Sequence, residues 1–490
     1  MRLEKLLENA GIECPEALRK TEITKIVTDS RMASEGCMFI AVRGHNTDGH
    51  DHIDQAVKNG AVVIVAEQMR DGCVGGAAII KVENTRRAAA LLYNEQCEYP
   101  CKSLKVIGVT GTNGKTSVCS ALESIFLEAG IPCAVIGTLG CRINGKDAQL
   151  EGESLTTPTP AKLYPFLALL VSRGIRYVFM EVSSHALALE RVAGVDFEYG
   201  IFTNLTRDHL DFHATMEEYF LTKARLFEKC KKRIFNIDDP YGKRLCAMYR
   251  GIFASVRGNG HANAENICTD NEGNRYTLSY NGRELDISTP ALGDFSVINT
   301  MQAAIVAIEE KIEDAAIIGG LSRFFGAKGR MERIALAQAG FDVMIDFAHT
   351  PDAMEKVLMN IHAMKAPSGR IILVFGCGGD RDRGKRREMA HIASRLADFT
   401  VITSDNPRSE EPERIIADIL KGIDKEKPHA CIASRKEAIE YAIQLARKGD
   451  YVLLCGKGHE KYEIDAHGKH PFDEELVVRR AIEKKHRIDA

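Results

Sequence analysis

No stretch of this 490-residue chain comes near the ~20 consecutive apolar residues that a membrane-crossing helix needs. The opening Met1-Arg2-Leu3-Glu4-Lys5 leads into a charged, amphipathic helix rather than a signal peptide. Net charge is only −3, which indicates neither nucleic acid nor an anionic membrane as a partner. The fourteen cysteines include no Cys-x-x-Cys pair and are scattered through apolar segments, as at Cys119, Cys133 and Cys455. That pattern reads as buried thiols in a reducing cytoplasm, not a disulfide framework. Gly-x-Gly-x-x-Gly is missing, which disfavours a dinucleotide cofactor, and there is no internal repeat or low-complexity tract. The remaining composition, 45% hydrophobic and 27% charged, is that of a globular protein with length for about three domains.

The most informative stretch runs from Leu104 to Thr116. Val106, Ile107 and Val109 form a short apolar run suited to a buried parallel strand. Gly111 and Gly114 let the backbone turn tightly, and Lys115 opens a helix to about Ala129 whose inner side carries Val118, Leu122, Ile125 and Phe126. Backbone N–H groups at such a helix start converge on one spot and suit a phosphate. Lys115 would reach the terminal phosphates and the Thr116 hydroxyl would hold Mg²⁺. The usual phosphate loop has Gly where this chain has Val109, so Thr-Gly-Thr-Asn-Gly-Lys-Thr is a variant. The alternative is a glycine turn before an ordinary helix.

Around this stretch the expected fold class is α/β in three parts. Residues 1–103 form a small N-terminal α/β domain. Residues 104–329 form a central ATPase domain of phosphate-loop type with a parallel-rich sheet. Residues 330–490 form a C-terminal Rossmann-like domain, because strands near 343–346, 371–375, 400–403, 431–432 and 451–455 alternate with helices near 352–365, 385–397, 412–421 and 435–447. In the first part, His45, His50 and His52 cluster, which offers a metal site or, without supporting Cys or ordered carboxylates, the favoured reading of solvated loop histidines. In the second, Tyr177 to Glu181 is an apolar strand ending in an acid, which suits Mg²⁺ directly or through water. The run from Phe202 to His213, after another strand, offers a metal ligand or, alternatively, a turn held by Asx hydrogen bonds. Thr215 and Glu218 have capping-box spacing. On the helix that follows, Lys223 shares an apolar face with Phe220 and Phe227. Most such lysines snorkel; a desolvated one titrates lower, and its neutral amine can add CO₂ as a carbamate. Asn299 begins an amphipathic helix and reads as a capping amide. In the third part, four strands end in polar clusters: Asp346 and His349; Gly378 to Arg383; Asp405 to Arg408; Gly456 to Glu460. Such a rim suits a ligand carrying both charges, such as a zwitterionic amino acid.

With these pieces placed, the chain resembles the Mur ligase family over nearly its whole length. The markers are Thr-Gly-Thr-Asn-Gly-Lys-Thr, Glu181-Val-Ser-Ser-His, Asp208-His-Leu-Asp-Phe-His, Gly329-Arg330-Met-Glu and Asp346-Phe-Ala-His-Thr-Pro. Asp405-Asn406-Pro407-Arg408 is similar to the branch that adds meso-diaminopimelate, whose second carboxylate this Arg meets; members that add lysine usually lack it. The resemblance implies an ATP-dependent amide ligase acting on UDP-N-acetylmuramoyl-L-alanyl-D-glutamate through an acyl phosphate, cytoplasmic and monomeric. It implies ATP at Gly111, Thr112, Asn113, Gly114, Lys115, Thr116 and Ser117, with Asn299, Arg330, Asp346 and His349. It implies Mg²⁺ at Thr116, Glu181, His209 and a carbamylated Lys223, with Lys115, Lys223 and His209 catalytic. Ser30, His45, Thr156, Thr157, Ser183 and Arg191 would hold the UDP-sugar peptide. Arg381, Asp405, Asn406, Pro407, Arg408, Gly456 and Glu460 would hold diaminopimelate. Leu189 stands where some relatives have Gln, which removes one substrate hydrogen bond. The alternatives are the same fold adding lysine, a folylpolyglutamate-type ligase, or a nucleotide-switch binding protein.

Overall fold

The computed structural model describes residues 1–44, 47–68, 75–148, 155–336 and 339–489. They form two compact units. The first comprises Met1–Thr110, Ile131–Ile201 and Thr222–Arg233; the second comprises Gly111–Gly130, Phe202–Leu221 and Ile234–Ala490.

The first unit begins with a four-stranded parallel sheet in the order Ile26–Val27, Cys37–Ile40, Ala61–Ala66, Ala78–Lys81. Beside it Asn84 caps the helix Thr85–Gln96 by accepting the Arg87 N–H at 3.0 Å. His50 departs from the solvated-loop expectation. It is 5% exposed, its Nδ1 lies 2.7 Å from Asp48 Oδ1, and its Nε2 accepts the Glu67 N–H at 3.0 Å. An acceptor role at Nε2 makes the ring a neutral tautomer that donates from Nδ1, so His50 is a strut of this unit. His52 is exposed as expected, and His45 lies outside the described residues. Lys105–Thr110 pairs in parallel with Tyr177–Glu181, and that strand in turn with Cys133–Gly137. Gly140–Ile143 and Lys146–Ala148 extend the sheet antiparallel. Val106, Ile107 and Val109 are fully buried, as their run predicts.

The second unit holds the helix Lys115–Glu128 and an antiparallel meander, Ala262–Asp270, Gly273–Tyr280 and Arg283–Thr289. Its second hairpin closes on Asn281 and Gly282, both at positive φ, the pair that a two-residue turn demands. The Tyr276 hydroxyl meets Thr300 Oγ1 at 2.9 Å and ties the meander to the helix Phe295–Glu309. Asn299 sits one turn inside that helix and does not cap it.

A six-stranded sheet completes this unit, in the order Glu332–Arg333, Asp342–Asp346, Tyr451–Cys455, Ile371–Phe375, Phe399–Ile402, His429–Cys431. All pairs are parallel except the first. Strand alternation divides its two buried faces. Ile371, Leu373 and Phe375 pack against the helices Pro351–Met364, Gly384–Leu396 and Pro412–Leu420; Ile372 and Val374 pack against Arg435–Leu445 and Glu474–Asp489. Sequence periodicity places the helices before residue 447 within a residue or two. The last helix and the hairpin Tyr462–Asp465/Gly468–Pro471 were not anticipated.

Asp450 anchors the start of the strand Tyr451–Cys455. Its side chain is 3% exposed, ion-pairs with Arg370 at 2.6 Å and accepts the N–H groups of Arg370 and Arg447. Burial alone would raise its pKa, but Arg370 and the two N–H groups override that and hold it below the usual value. A lowered folded-state pKa stabilises the fold above the unfolded value, about 3.9, and the contribution fades as pH falls towards the folded one. The stability gap between wild type and Asp450→Asn, read by denaturant titration, is therefore expected to be full at pH 7 and to narrow below about pH 4.

Candidate active site

The loop after Lys105–Thr110 makes the tight glycine turn that the sequence assigns to a phosphate. Gly111 has φ +148° and an added Cβ would run into Thr203 Oγ1; Gly114 has φ +89° and a Cβ there would lie 2.6 Å from Asn299 Oδ1. Only glycine fits either position. Behind the loop stands a segment that composition did not single out for this purpose. Asn204 accepts the Asn113 N–H on Oδ1 at 3.0 Å and the Thr112 N–H on its carbonyl at 2.8 Å, while Thr203 Oγ1 donates to Asn113 O at 2.5 Å. Lys115 Nζ donates to Gly111 O and Thr112 O, both at 2.9 Å, so its charge rests over the loop. Thr116 is 6% exposed in the helix's first turn. The Thr-Asn pair after an apolar strand was the available signal for Asn204. Asn204→Ala removes one acceptor from the loop and is expected to raise KM for ATP about three- to tenfold, with circular dichroism unchanged.

A cleft of about 560 Å³, its solvent-open part included, adjoins this loop. Asn113, Gly114, Ser117, Asn299, Arg330 and Asp346 line it, all expected at the nucleotide, together with Asn204 and Lys356. Asp346 is 4% exposed and accepts the Met331 N–H at 2.7 Å and the Ala348 N–H at 2.6 Å. Burial raises its pKa against the opposing Arg330 charge. The Arg330 guanidinium lies 4.5 Å from the Phe347 ring centre. A glycine cradle, a helix N-terminus and a cation beside one cleft fit a nucleoside triphosphate.

In the first unit Thr156, Thr157, Ser183 and Arg191, expected at the UDP-sugar peptide, lie beside Glu181, which the sequence places at Mg²⁺ instead. Thr157 Oγ1 donates to Glu181 O at 2.8 Å and accepts the Ser183 N–H at 3.2 Å; Arg191 Nη1 donates to Thr157 O at 2.8 Å. Glu181 is 1% exposed and each carboxylate oxygen accepts one bond from Thr138, at 2.9 and 3.0 Å. A second lone pair remains on each oxygen, which suits a hard divalent cation directly or through water. Lys223 is 1% exposed, so it does not snorkel. Ser30 is buried in the 3₁₀ turn Ser30–Met32 and its carbonyl accepts from Asn59 Nδ2 at 2.9 Å. Among the described residues no three His, Cys, Asp or Glu side chains converge as a ready-made metal cage.

The second unit has a further cleft, about 740 Å³ with its solvent-open part, at the carboxyl ends of the six-stranded sheet. Arg381, Asp405, Asn406, Arg408, Gly456 and Glu460 line it; Pro407 does not. Asp208, His209, Asp211, Asp382 and Lys385 also contribute, so both signs of charge face one space. His349, expected at the nucleotide, lies on this cleft instead: its Nδ1 bonds to Phe347 O at 2.8 Å and its Nε2 stands 3.8 Å from Asp208 Oδ2. Burial would raise the Asp208 carboxyl, but His349, His209 and Lys385 hold it well below the usual range. Two non-glycine residues of the cleft carry left-handed backbone, His209 and Arg408, both at φ +54°. Such strain persists only where the surroundings fix it. Around Arg408 they do: its N–H donates to Ile464 O at 3.0 Å and its Nη1 to Gly379 O at 2.8 Å. Beneath, the fully buried Lys457 Nζ donates to Asn406 Oδ1 and Tyr462 O, leaving Asn406 Nδ2 to donate to Glu460 at 2.8 Å.

Three family models match the chain: "Mur ligase family, catalytic domain" over residues 22–94, "Mur ligase middle domain" over 109–307 and "Mur ligase, glutamate ligase domain" over 329–458. A UDP-N-acetylmuramoyl-L-alanyl-D-glutamate–2,6-diaminopimelate ligase of Syntrophomonas wolfei is 39% identical over 499 residues, covering 99% of this chain and all of that one. A solved structure with the same enzyme name is 30% identical, covers 99% of this chain and 100% of its own, and superposes with a TM-score of 0.69. The MurF ligase of Thermotoga maritima, solved with ADP, shares the fold at 18% identity and a TM-score of 0.61, covering 95% of this chain and 98% of its own.

Proposed function

The chain belongs to the Mur ligase family, and on that premise we propose that it joins meso-2,6-diaminopimelate to UDP-N-acetylmuramoyl-L-alanyl-D-glutamate at the expense of ATP. The reaction is a step of peptidoglycan precursor synthesis, and the enzyme works in the cytoplasm as a monomer. The division of labour follows the sequence: residues 1–103 for the UDP-sugar, 104–329 for ATP and 330–490 for the amino acid. One observation carries the substrate assignment. A guanidinium, Arg408, is fixed by backbone carbonyls on a cleft that also presents Asp405 and Glu460. That set matches a guest with an ammonium group and a second carboxylate. Lysine, lacking that carboxylate, would leave Arg408 unpaired.

In the reaction the D-glutamyl carboxylate attacks the γ-phosphorus of ATP, the bond to the bridging oxygen breaks, and ADP leaves. The diaminopimelate amine then attacks the acyl phosphate carbon, forming the amide and releasing phosphate. Carboxylate and triphosphate repel each other, so positioning and charge neutralisation dominate catalysis. Loop amides from Gly111 to Ser117 hold the phosphates, Lys115 neutralises them, and Asn299, Arg330 and Asp346 enclose the nucleotide. Thr116, Glu181, His209 and a carbamate on Lys223 would hold Mg²⁺, which supplies Lewis-acid stabilisation of phosphoryl oxygens. The carbamate would form by addition of the Lys223 amine to CO₂ with loss of a proton; the side chain is 1% exposed, shut away from bulk water. Thr156, Thr157, Ser183 and Arg191, with Ser30 and His45, take the UDP-sugar peptide.

A phosphate-release assay with the UDP-muramoyl dipeptide and a panel of amino acids tests the assignment. Release stimulated by diaminopimelate, and not by lysine or glutamate, is expected. Equal or greater stimulation by lysine or glutamate would refute it.

A further inference from the structure

The two arginines of the amino-acid cleft sit on neighbouring loops, Arg381 after the strand Ile371–Phe375 and Arg408 after Phe399–Ile402. Each loop carries one non-glycine residue in left-handed backbone, Asp380 at φ +53° and Arg408 at φ +54°. Contacts outside the cleft hold both. Arg386, 1% exposed on the helix Gly384–Leu396, grips Glu410 with two bonds, Nη2 to Oε1 at 2.8 Å and Nη1 to Oε2 at 3.1 Å. It also reaches Asp418 Oδ2 at 3.1 Å and Gly378 O at 3.4 Å. Glu410 Oε1 in turn accepts the Asp380 N–H at 2.7 Å, and the Asp380 carboxylate accepts Ser409 Oγ at 2.7 Å and the Ser409 N–H at 3.2 Å. Gly379 closes the seam: its N–H donates to Asn406 O at 2.9 Å, and a Cβ there would collide with Pro407 O. Neither Arg386 nor Glu410 lines the cleft.

Buried ion pairs of this kind add little net stability over apolar replacements, because desolvation offsets their attraction. Their use is geometric. We infer that Arg386 and Glu410 are a positioning pair for amino-acid selection, clamping the 378–382 and 405–410 loops in the setting that aims Arg381 and Arg408 at the far carboxylate of the incoming substrate. This rests on the assignment of Arg408 given above. The pair touches no substrate; it acts by fixing two strained loops whose relaxation would swing both guanidinium groups away.

Steady-state kinetics of Glu410→Gln and Ser409→Ala separate this role from a merely structural one. Glu410→Gln keeps the shape but loses the charge that Arg386 grips, and Ser409→Ala removes an exposed hydroxyl without threatening the fold. KM for diaminopimelate is expected to rise at least tenfold in Glu410→Gln and two- to fivefold in Ser409→Ala. KM for ATP and for the UDP-muramoyl dipeptide should stay within twofold. Arg386→Lys, which keeps a charge but cannot bridge Glu410, Asp418 and Gly378 together, should follow Glu410→Gln. If all three KM values move together, or none moves, the positioning role is wrong. If wild-type enzyme shows no diaminopimelate turnover, the assigned substrate fails, not the clamp.

Discussion

Lys115→Ala lowers diaminopimelate-dependent phosphate release by about 10³-fold, measured at saturating substrates, with the circular dichroism spectrum retained. The size follows from what the side chain does. Its Nζ is pinned on Gly111 O and Thr112 O, which places a full positive charge beside the loop amides rather than free in solvent. Phosphoryl transfer to a carboxylate brings two anions together, and that charge is most needed at the moment of transfer. Lys115→Arg keeps the charge but not the two-carbonyl seat, because a planar fork cannot replace a compact ammonium there. It should recover less than a tenth of the lost rate. Full activity in Lys115→Ala would remove the loop from the chemistry.

Arg408→Ala lowers kcat/KM for diaminopimelate by about 10²- to 10³-fold, the cost of leaving a substrate carboxylate desolvated and unpaired. ADP affinity, read by calorimetry, stays unchanged, since Arg408 lines the other cleft. The substitution is clean in one respect. Arginine and alanine both bear a Cβ, so both carry the left-handed strain at φ +54°, and the N–H bond to Ile464 O persists, although the ties of Nη1 to Gly379 O and Asn406 O go with the side chain. Burial, reinforced by the nearby Arg381 charge, pulls the Arg408 pKa below the ordinary guanidinium value, and a bound carboxylate counters that repulsion. Unchanged diaminopimelate turnover would show that selectivity is set elsewhere.

Sequence periodicity carried the four central strands of the six-stranded sheet because each is a short apolar run, and set the outer one near 431 a residue or two late; the edge strand Glu332–Arg333, two charged residues, gave no such signal. Ile371 to Phe375 divides between two cores by simple alternation. The meander from Ala262 to Thr289 escaped notice because half its residues face solvent and only Asn281-Gly282 marks a turn. Of the motif residues, Gly111 and Gly114 form the glycine turn, and Arg381, Asp405 and Arg408 line one cleft at the sheet's carboxyl ends. Long-range burial of polar groups was not legible. His50 looked like a solvated loop residue and is a buried strut; Asn204 looked like turn material and clamps the phosphate loop. Lys457, a charge in a glycine-rich loop, is fully buried beneath Asn406. His349 fell on the amino-acid cleft because its Nδ1 is tied to Phe347 O, which no local pattern encodes.

The most direct measurement follows oxygen. UDP-N-acetylmuramoyl-L-alanyl-D-glutamate labelled with ¹⁸O in both oxygens of the reacting carboxylate is turned over with ATP and diaminopimelate, and the released phosphate is examined by mass spectrometry. Activation as an acyl phosphate requires one labelled oxygen to leave with phosphate and the other to remain in the amide. Phosphate free of ¹⁸O after complete turnover would contradict attack of that carboxylate on ATP.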